Sequence, residues 1–180
     1  ITGKKLGLIG CGNIGSIVAA RAIGLKMKVI AYDPFLNSKK AEEIGVEKVD
    51  LDKILNKSDI ISLHTPLTEE TKNIISADAI NKMKKGVRIV NCARGGIVDE
   101  EELLKALENG TISSAALDVF EIEPVPANSS LIQHENFHGT PHIGAATLEA
   151  QHRVGIDIAQ EVITALKGQK PTTLVNSKFL

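Results

Sequence analysis

The sequence predicts a protein of the α/β class, built on a doubly wound parallel β-sheet. Short apolar runs alternate with helical patterns along the 180 residues, and this alternation is typical of parallel strands joined by helices. The apolar run 5–9 precedes a glycine-rich turn at 10–15, and an apolar helical pattern then continues to Gly24. A second apolar run, 29–32, ends at Asp33. These observations indicate a strand, a tight turn, a helix and a second strand.

Three glycines in the turn have the spacing of a dinucleotide-binding site. Gly10 permits the tight turn, Gly12 lets bare backbone approach a pyrophosphate, and Gly15 lets the helix pack closely on the strand. Backbone N–H groups and the positive end of the helix dipole attract the diphosphate. The carboxylate of Asp33 can accept hydrogen bonds from both ribose hydroxyls and would repel a 2′-phosphate. We therefore expect NAD rather than NADP; the alternative is a glycine turn that serves packing alone.

Composition limits the classes of partner. The formal net charge is −1 and the 21 basic residues are spread along the chain, so we expect neither nucleic acid nor an anionic membrane as a partner. No apolar run reaches the roughly 18 residues that a membrane span needs, which predicts a soluble protein. The chain begins at Ile1, just before the first strand, which suggests a processed product or an excised domain.

The two cysteines, Cys11 and Cys92, each follow a predicted strand. Their spacing matches neither a metal site nor a disulfide framework, and a chain of this length needs neither for stability. We therefore expect no metal, small buried cysteine side chains and a cytoplasmic location.

In the first half of the chain, residues with strong conformational preferences mark the ends of elements. Pro34 ends the second strand, Gly45 ends a short helix, and Ser76 is a suitable N-cap. The tripeptide 64–66 follows a β-rich run, so we expect it at the crevice beyond the carboxyl ends of the strands. In order, we expect a helix at 39–44, a strand at 46–49, a helix at 51–56, a strand at 60–63 and a helix at 76–83.

The second half continues the alternation. The apolar run 87–91 suits a strand that is buried on both faces. Asp99 begins a helix with three glutamates in its first turn, which the helix dipole favours. In order, we expect a strand at 87–91, a helix from 99 to a stop at 109–110, a strand at 114–120, a loop at 121–136, a short strand from 137, a long amphipathic helix at 146–167 and an extended tail at 168–180.

Polar side chains follow the ends of several strands. Because carboxyl ends of parallel strands meet at one edge of a sheet, we expect the groups that follow five strands to converge there. They are the glycine turn, Asp33, the tripeptide 64–66, Arg94 and Asp118, and two later loops add Glu123 and His142. An Arg, a Glu and a His are the parts needed to oxidise a hydroxyl beside a carboxylate. Arg94 can hold the carboxylate or polarise the carbonyl oxygen. His142 can take the hydroxyl proton, and Glu123 can accept from the other ring nitrogen.

Each of these residues also has a structural interpretation. Arg94 could form a surface salt bridge, and His142 could satisfy loop carbonyls. Glu123 could be a solvated loop acid, and Asp118 could cap a helix. The histidines that lack a second group at useful spacing are assigned to structure or solvent, although the backbone at the first is expected to line the crevice: His64, His134, His138 and His152.

A series of motifs resembles the NAD-binding domain of the D-isomer-specific 2-hydroxyacid dehydrogenases. The matching stretches are 3–15, 32–34, 64–68, 91–100, 116–120, 123–124 and 140–145. The resemblance implies that Arg94, Glu123 and His142 are catalytic. It also implies an NAD site, with Asp118 at the nicotinamide carboxamide, lined by Asn13, Ile14, Asp33, Thr65, Cys92, Ala93, Arg94, Asp118, His142, Gly144 and Ala145. One departure is the stretch 137–139, where the family usually has a more apolar strand.

The resemblance further implies a second, substrate-binding domain that this chain lacks. We expect 1–170 to form the NAD-binding Rossmann domain and 171–180 to lead back toward the missing domain. A small 2-hydroxy acid would be the substrate, and the full-length protein would be a homo-oligomer, dimer or tetramer. The helix at 146–167 could support dimerisation or pack on its own domain. The isolated domain would bind NAD with little or no turnover.

Two questions stay open at this point. The acid is not determined by these motifs, and D-lactate, glyoxylate and hydroxypyruvate are among the candidates. A non-enzymatic, NAD-sensing binder, similar to the corepressors that resemble this family, is the alternative from another class.

Overall fold

The computed structural model describes residues 1–174, and the part of the expected tail at 175–180 lies outside the described residues. The chain divides into two units, Ile1–Pro141 and His142–Leu180, which we describe separately.

The first unit contains a parallel β-sheet of seven strands with the order β3-β2-β1-β4-β5-β6-β7. Its strands are β1 (Lys5–Ile9), β2 (Lys28–Tyr32), β3 (Glu47–Lys48), β4 (Ile60–Leu63), β5 (Val87–Asn91), β6 (Ile112–Leu117) and β7 (Phe137–Gly139). Its helices are α1 (Asn13–Gly24), α2 (Ser38–Ile44), α3 (Leu51–Lys57), α4 (Ala77–Asn81), α5 (Glu100–Glu108) and α6 (Ser130–Gln133).

The order of the strands confirms the doubly wound topology. The chain starts at β1 in the middle of the sheet, adds β2 and β3 on one side, and then returns to add β4 to β7 on the other. The direction of winding therefore reverses between β1 and β4. Ligands of open α/β sheets bind beyond the carboxyl ends of the strands at such a reversal.

Two apolar clusters form the core. Along β1, Leu8 belongs to one cluster and the next residue, Ile9, to the other, with 0% and 1% of their surface exposed. Ala31 and Ile30 divide between the clusters in the same way along β2. Successive side chains of a strand point to opposite faces, so the sheet is buried on both faces.

Side-chain caps start several helices where the sequence predicts them. Asn37, Asp50, Ser76 and Asp99 each accept a hydrogen bond from the backbone N–H three residues later. Gly45, at the end of α2, has a φ of 82°, a left-handed conformation that glycine adopts without steric cost. The predicted N-cap at Ser76, helix start at Asp99 and helix end at Gly45 are thus confirmed.

Some boundaries differ from the predictions. Helix α4 ends at Asn81 because Met83 N donates to Ile80 O three residues back, which tightens the last turn. The stretch expected to be a loop contains α6, a single turn held by the buried side chain of Leu131. Strand β6 ends at Leu117, so Asp118 follows the strand instead of lying within it.

The second unit consists mainly of α7 (Leu148–Leu166). Its N-cap is Thr147, whose hydroxyl accepts from Ala150 N at 3.1 Å, so the helix begins two residues later than predicted. After α7 the chain is held by Glu161, whose carboxylate accepts from the N–H and the hydroxyl of Thr172 at 2.8 and 2.6 Å. Among the described residues, no helix is long and apolar enough to cross a membrane.

Candidate active site

The glycine turn after β1 is closely packed on one side and open on the other. Gly10 has a φ of 91°, and a Cβ there would lie 2.3 Å from the carbonyl oxygen of His64. A Cβ at Gly15 would lie 2.3 Å from the carbonyl oxygen of Gly10. At Gly12 a Cβ would meet no atom within 4 Å among the described residues. Gly10 and Gly15 therefore shape the turn, whereas Gly12 leaves space for a ligand.

The start of helix α1 faces this space. Gly12 is its N-cap, and within the described part of the chain no side chain caps it. Backbone N–H groups at a helix N-terminus, together with the helix dipole, attract phosphate groups. Asn13 and Ile14 begin the helix, and Ile14 is 63% exposed. The turn thus fits the diphosphate of a dinucleotide.

Asp33 lies at the end of β2, beside the glycine turn. Its Oδ2 accepts from Cys11 N at 2.8 Å and its Oδ1 accepts from Phe35 N at 2.8 Å. Each carboxylate oxygen can accept a second hydrogen bond, so the carboxylate can also accept from ribose hydroxyls. A cleft of about 590 Å³ adjoins Asp33 and includes Lys48 and Lys53 in its wall. The cleft and the acid together fit an adenosine group.

The end of β4 brings His64 and Thr65 to the other side of the turn. His64 N donates to Ile9 O at 2.7 Å, and its Nε2 lies 2.9 Å from the hydroxyl oxygen of Ser62. Burial lowers the pKa of His64, which favours the neutral ring. The side chain of His64 therefore has a structural role, as predicted, while its backbone packs against Gly10.

Asn91, the last residue of β5, organises the turn that carries Arg94. Only 1% of its surface is exposed. Its Oδ1 accepts from Ala93 N at 3.0 Å, and its Nδ2 donates to Arg94 O at 2.9 Å. This role of Asn91 was not predicted from the sequence, although a polar residue in the apolar run 87–91 is a usable signal. The Arg94 side chain is exposed, and its Nη1 donates to Ala93 O at 2.6 Å.

The prediction of two buried cysteines is correct for Cys11 and wrong for Cys92. Cys92 is exposed because it follows the last residue of β5 and lies in the turn. The surrounding protein still shields the Cys92 thiol partly from water, and this desolvation raises its pKa. The negative charge of Asp118 raises the pKa of Cys92 to a smaller degree. For Cys11, burial and then Asp33 raise the pKa. Both groups are therefore protonated thiols near neutral pH.

Asp118 is a buried acid at the end of β6, with 4% of its surface exposed. Its carboxylate accepts from the hydroxyl of Thr140, and its backbone N–H donates to Asn91 O at 2.9 Å. No helix of the described residues begins at this position, so Asp118 is not a helix cap. The acid is instead fixed at the same edge of the sheet as Arg94.

Glu123 lies in the loop after β6, next to the Arg94 turn. Its Oε1 accepts from Phe120 N at 2.9 Å. Gly95 packs directly on this loop, since a Cβ there would lie 1.9 Å from Phe120 O. The structure therefore brings the two loops that carry Arg94 and Glu123 into contact.

The remaining predicted site residues belong to the second unit. His142 has a φ of 54°, the left-handed region, and begins a turn in which Ala146 N donates to Ile143 O at 2.9 Å. Gly144 and Ala145 lie in this turn before α7. Their roles stay predictions.

Comparison with known proteins identifies the family. Residues 1–144 match the model of the D-isomer specific 2-hydroxyacid dehydrogenase, NAD binding domain. The chain belongs to this family. The chain thus comes from an oxidoreductase family whose cofactor in this domain is NAD, which agrees with the open glycine turn and Asp33.

Several relatives are similar over nearly the whole chain. D-3-phosphoglycerate dehydrogenase of Bacillus subtilis is 48% identical over 174 residues, which are 97% of this chain and 33% of the relative. Hydroxypyruvate reductase of Thermotoga maritima is 51% identical over 169 residues, 92% of this chain and 54% of the relative. The chain therefore spans about a third to a half of the length of these relatives.

Solved structures show the same fold. A glyoxylate reductase from Paecilomyes thermophila superposes with a TM-score of 0.89 at 36% identity, covering 98% of this chain and 53% of that chain. The apo-structure of D-lactate dehydrogenase from Escherichia coli gives a TM-score of 0.85 at 36% identity, covering 95% of this chain and 54% of that chain. The chain therefore matches about half the length of each of these structures.

Proposed function

We propose that this chain is the NAD-binding domain of a D-3-phosphoglycerate dehydrogenase. The full-length enzyme would oxidise 3-phospho-D-glycerate to 3-phosphonooxypyruvate, at the entry to serine biosynthesis. The observation that carries this proposal is the agreement among relatives. Proteins with this name from Bacillus subtilis, Arabidopsis thaliana, Archaeoglobus fulgidus and Rattus norvegicus are 45% to 48% identical over 97% to 100% of the chain.

The proposed NAD site uses both sides of the glycine turn. Gly10, Gly12 and Gly15 give the diphosphate access to the start of α1, and Asp33 accepts from the ribose hydroxyls. Asp118, fixed by Thr140, would hold the nicotinamide carboxamide. The rest of the site would be lined by Asn13, Ile14, Thr65, Cys92, Ala93, Arg94, His142, Gly144 and Ala145.

In the proposed reaction three residues act on the hydroxy acid. Bound NAD⁺ supplies the hydride acceptor. The exposed guanidinium of Arg94 holds the substrate carboxylate through two parallel hydrogen bonds. His142 takes the proton of the hydroxyl as the C–H hydride departs, and Glu123 orients the histidine by accepting from its other ring nitrogen.

One specific observation supports a different 2-hydroxy acid, hydroxypyruvate, as the substrate. The hydroxypyruvate reductase of Thermotoga maritima is 51% identical to this chain. Steady-state kinetics of the full-length protein with phosphoglycerate, hydroxypyruvate, glyoxylate and D-lactate would separate the candidates. The highest kcat/KM identifies the substrate.

We propose three further properties on the same basis. Residues 1–170 would form the NAD-binding domain, and 171–180 would lead back toward a substrate domain. The full-length protein would be a homo-oligomer, dimer or tetramer. Its location would be cytoplasmic, although two relatives from Arabidopsis thaliana carry the name chloroplastic.

The role of His142 is tested by replacement in the full-length protein. For His142→Ala we expect turnover to fall by about 10² to 10⁴, the usual contribution of a general base. NADH affinity should stay within about threefold, because the diphosphate and ribose contacts are intact. His138→Ala is the matched control, since His138 is exposed on β7 and has no proposed role. A near-normal rate in His142→Ala would overturn the assignment.

A further inference from the structure

One peptide unit joins the two loops of the proposed active site. A Cβ at Gly95 would lie 1.9 Å from the oxygen and 2.3 Å from the carbon of the Phe120 carbonyl, and 2.9 Å from Glu121 N. The bare backbone of Gly95, next to Arg94, therefore packs directly on the peptide between Phe120 and Glu121. A larger residue would push the loops apart.

Glu100 fixes the other end of this peptide. Its Oε1 accepts from Glu121 N at 2.7 Å, and Glu100 is the first residue of α5, five positions after Gly95. The Arg94 segment thus contacts the carbonyl of the peptide through Gly95 and its N–H through Glu100. Both contacts come from the segment 95–100. This segment therefore fixes the position of the first residues of the loop after β6.

The same loop determines the position of the Glu123 carboxylate. Glu123 Oε1 accepts from Phe120 N at 2.9 Å, so its side chain turns back onto the start of its own loop. A displacement of the Phe120–Glu121 peptide would therefore move the carboxylate of Glu123 as well. Glu100 acts on this peptide without being adjacent to Glu123 in the sequence.

We propose that Glu100 is a positioning residue for the dehydrogenase reaction, which holds Glu123 in place through its hydrogen bond to Glu121 N–H. The inference rests on the function proposed above, because it needs Glu123 to act in the reaction. Glu100 touches neither substrate nor cofactor in this role. Its effect reaches the chemistry through the loop after β6.

The electrostatic surroundings of Glu100 support a hydrogen-bonding role instead of a charge-pairing role. Burial raises the pKa of Glu100, and the nearby carboxylates of Glu121, Asp99 and Glu123 raise it further, against a lowering by the Glu121 N–H. A negative charge is thus disfavoured at this position. An amide oxygen could accept the same hydrogen bond without the charge, which makes Gln the informative replacement.

The inference is tested in the full-length protein with two replacements of Glu100. For Glu100→Ala we expect kcat to fall about tenfold, with NADH affinity unchanged and KM for the acid within about threefold. Glu100→Gln should keep kcat within about threefold, because the N–H of Glu121 retains its acceptor. Glu101→Ala is the control, since Glu101 is exposed in the same turn of α5. Its rate should match that of the parent protein.

A double-mutant cycle with Glu123→Gln separates positioning from a general structural role. If Glu100 acts through Glu123, adding Glu100→Ala to Glu123→Gln should lower kcat by less than about twofold more. Additive losses, a Gln variant as slow as the Ala variant, or equal losses of kcat and NADH affinity would each overturn the inference. If kcat is normal in Glu100→Ala but low in Glu123→Gln, the inference is overturned while the proposed role of Glu123 stands. A normal kcat in Glu123→Gln itself overturns the proposed role of Glu123 and the inference with it.

Discussion

At the scale of single residues, the glycine turn shows how the residue type at three positions shapes a binding site. The spacing of Gly10, Gly12 and Gly15 predicted three different functions, and the structure gives each glycine different surroundings. Gly10 and Gly15 are packed against backbone atoms, whereas Gly12 faces open space. Substitution at Gly12 can therefore test ligand binding separately from folding.

We expect Gly12→Ala to weaken NADH binding by at least about tenfold, which is about 1.4 kcal/mol. The added methyl group meets no protein atom among the described residues but occupies the space open to the diphosphate. Isothermal titration calorimetry measures the affinity, and thermal unfolding should change little. Gly24→Ala is the control, because a Cβ at Gly24 also meets no atom within 4 Å of the described residues and lies at the far end of α1. Equal affinities of the two variants would contradict the proposed diphosphate position.

Other residues show what the sequence could not predict. Cys92 was expected to be buried because it follows an apolar strand, but the turn held by Asn91 exposes it. The contact between Gly95 and Phe120 joins residues far apart in the sequence, and no local pattern predicts such a pair. Local propensity indicates turns and caps, whereas packing between loops depends on the whole fold.

At the scale of secondary structure, the strands and long helices were predictable from apolar runs and capping residues. Strand β4 and strand β5 have the predicted bounds, and Asp99 caps α5. Helix α6 was missed because its single turn is too short to show a helical period and is held by tertiary packing of Leu131. Other boundaries differed by up to three residues, as at the end of β6.

Asp59 provides a test of how the strands are joined. It lies between α3 and β4, accepts from Lys5 N of β1 at 2.8 Å, and pairs with Lys84. The hydrogen bond and ion pair with Lys84, followed by the hydrogen bond from Lys5 N–H, lower the pKa of Asp59. A lowered folded-state pKa gives stability that is present above the ordinary Asp value and is lost as pH falls through the folded value.

We therefore expect Asp59→Asn to lower the free energy of unfolding by about 1 kcal/mol at pH 7, because the amide oxygen can still accept from Lys5 N–H while the charge is lost. The difference from the parent should shrink toward zero below the folded-state pKa. Urea unfolding at several pH values measures it. Asp52→Asn is the control, since Asp52 pairs with Lys82 but its side chain is 67% exposed, and exposed pairs contribute little. A constant difference at all pH values would show that the charge is not responsible.

At the scale of the whole molecule, the chain covers about a third of its D-3-phosphoglycerate dehydrogenase relatives and about half of the solved structures it matches. The family and the fold could be predicted from the sequence because the motifs are local and follow in a fixed order. The substrate could not, because groups that recognise the rest of a hydroxy acid are expected outside this domain.

We expect the 180-residue chain to bind NADH and to show little or no turnover of any 2-hydroxy acid. The residues proposed to hold the diphosphate and ribose lie in the first unit, which has its own core. Calorimetry would detect NADH binding, and an absorbance assay of NADH formation would detect turnover. Measurable turnover by this chain alone, or the absence of binding by folded protein, would contradict the expectation.

The double use of Asp33 limits how the cofactor preference of this domain can be redesigned. Both of its oxygens already accept backbone N–H groups, from Cys11 in the glycine turn and from Phe35 after β2. Exchanging the acid for a small or basic residue to admit a phosphorylated ribose would leave those two donors without their acceptor. An engineered switch to NADP therefore requires a replacement acceptor for the backbone in addition to a new cation.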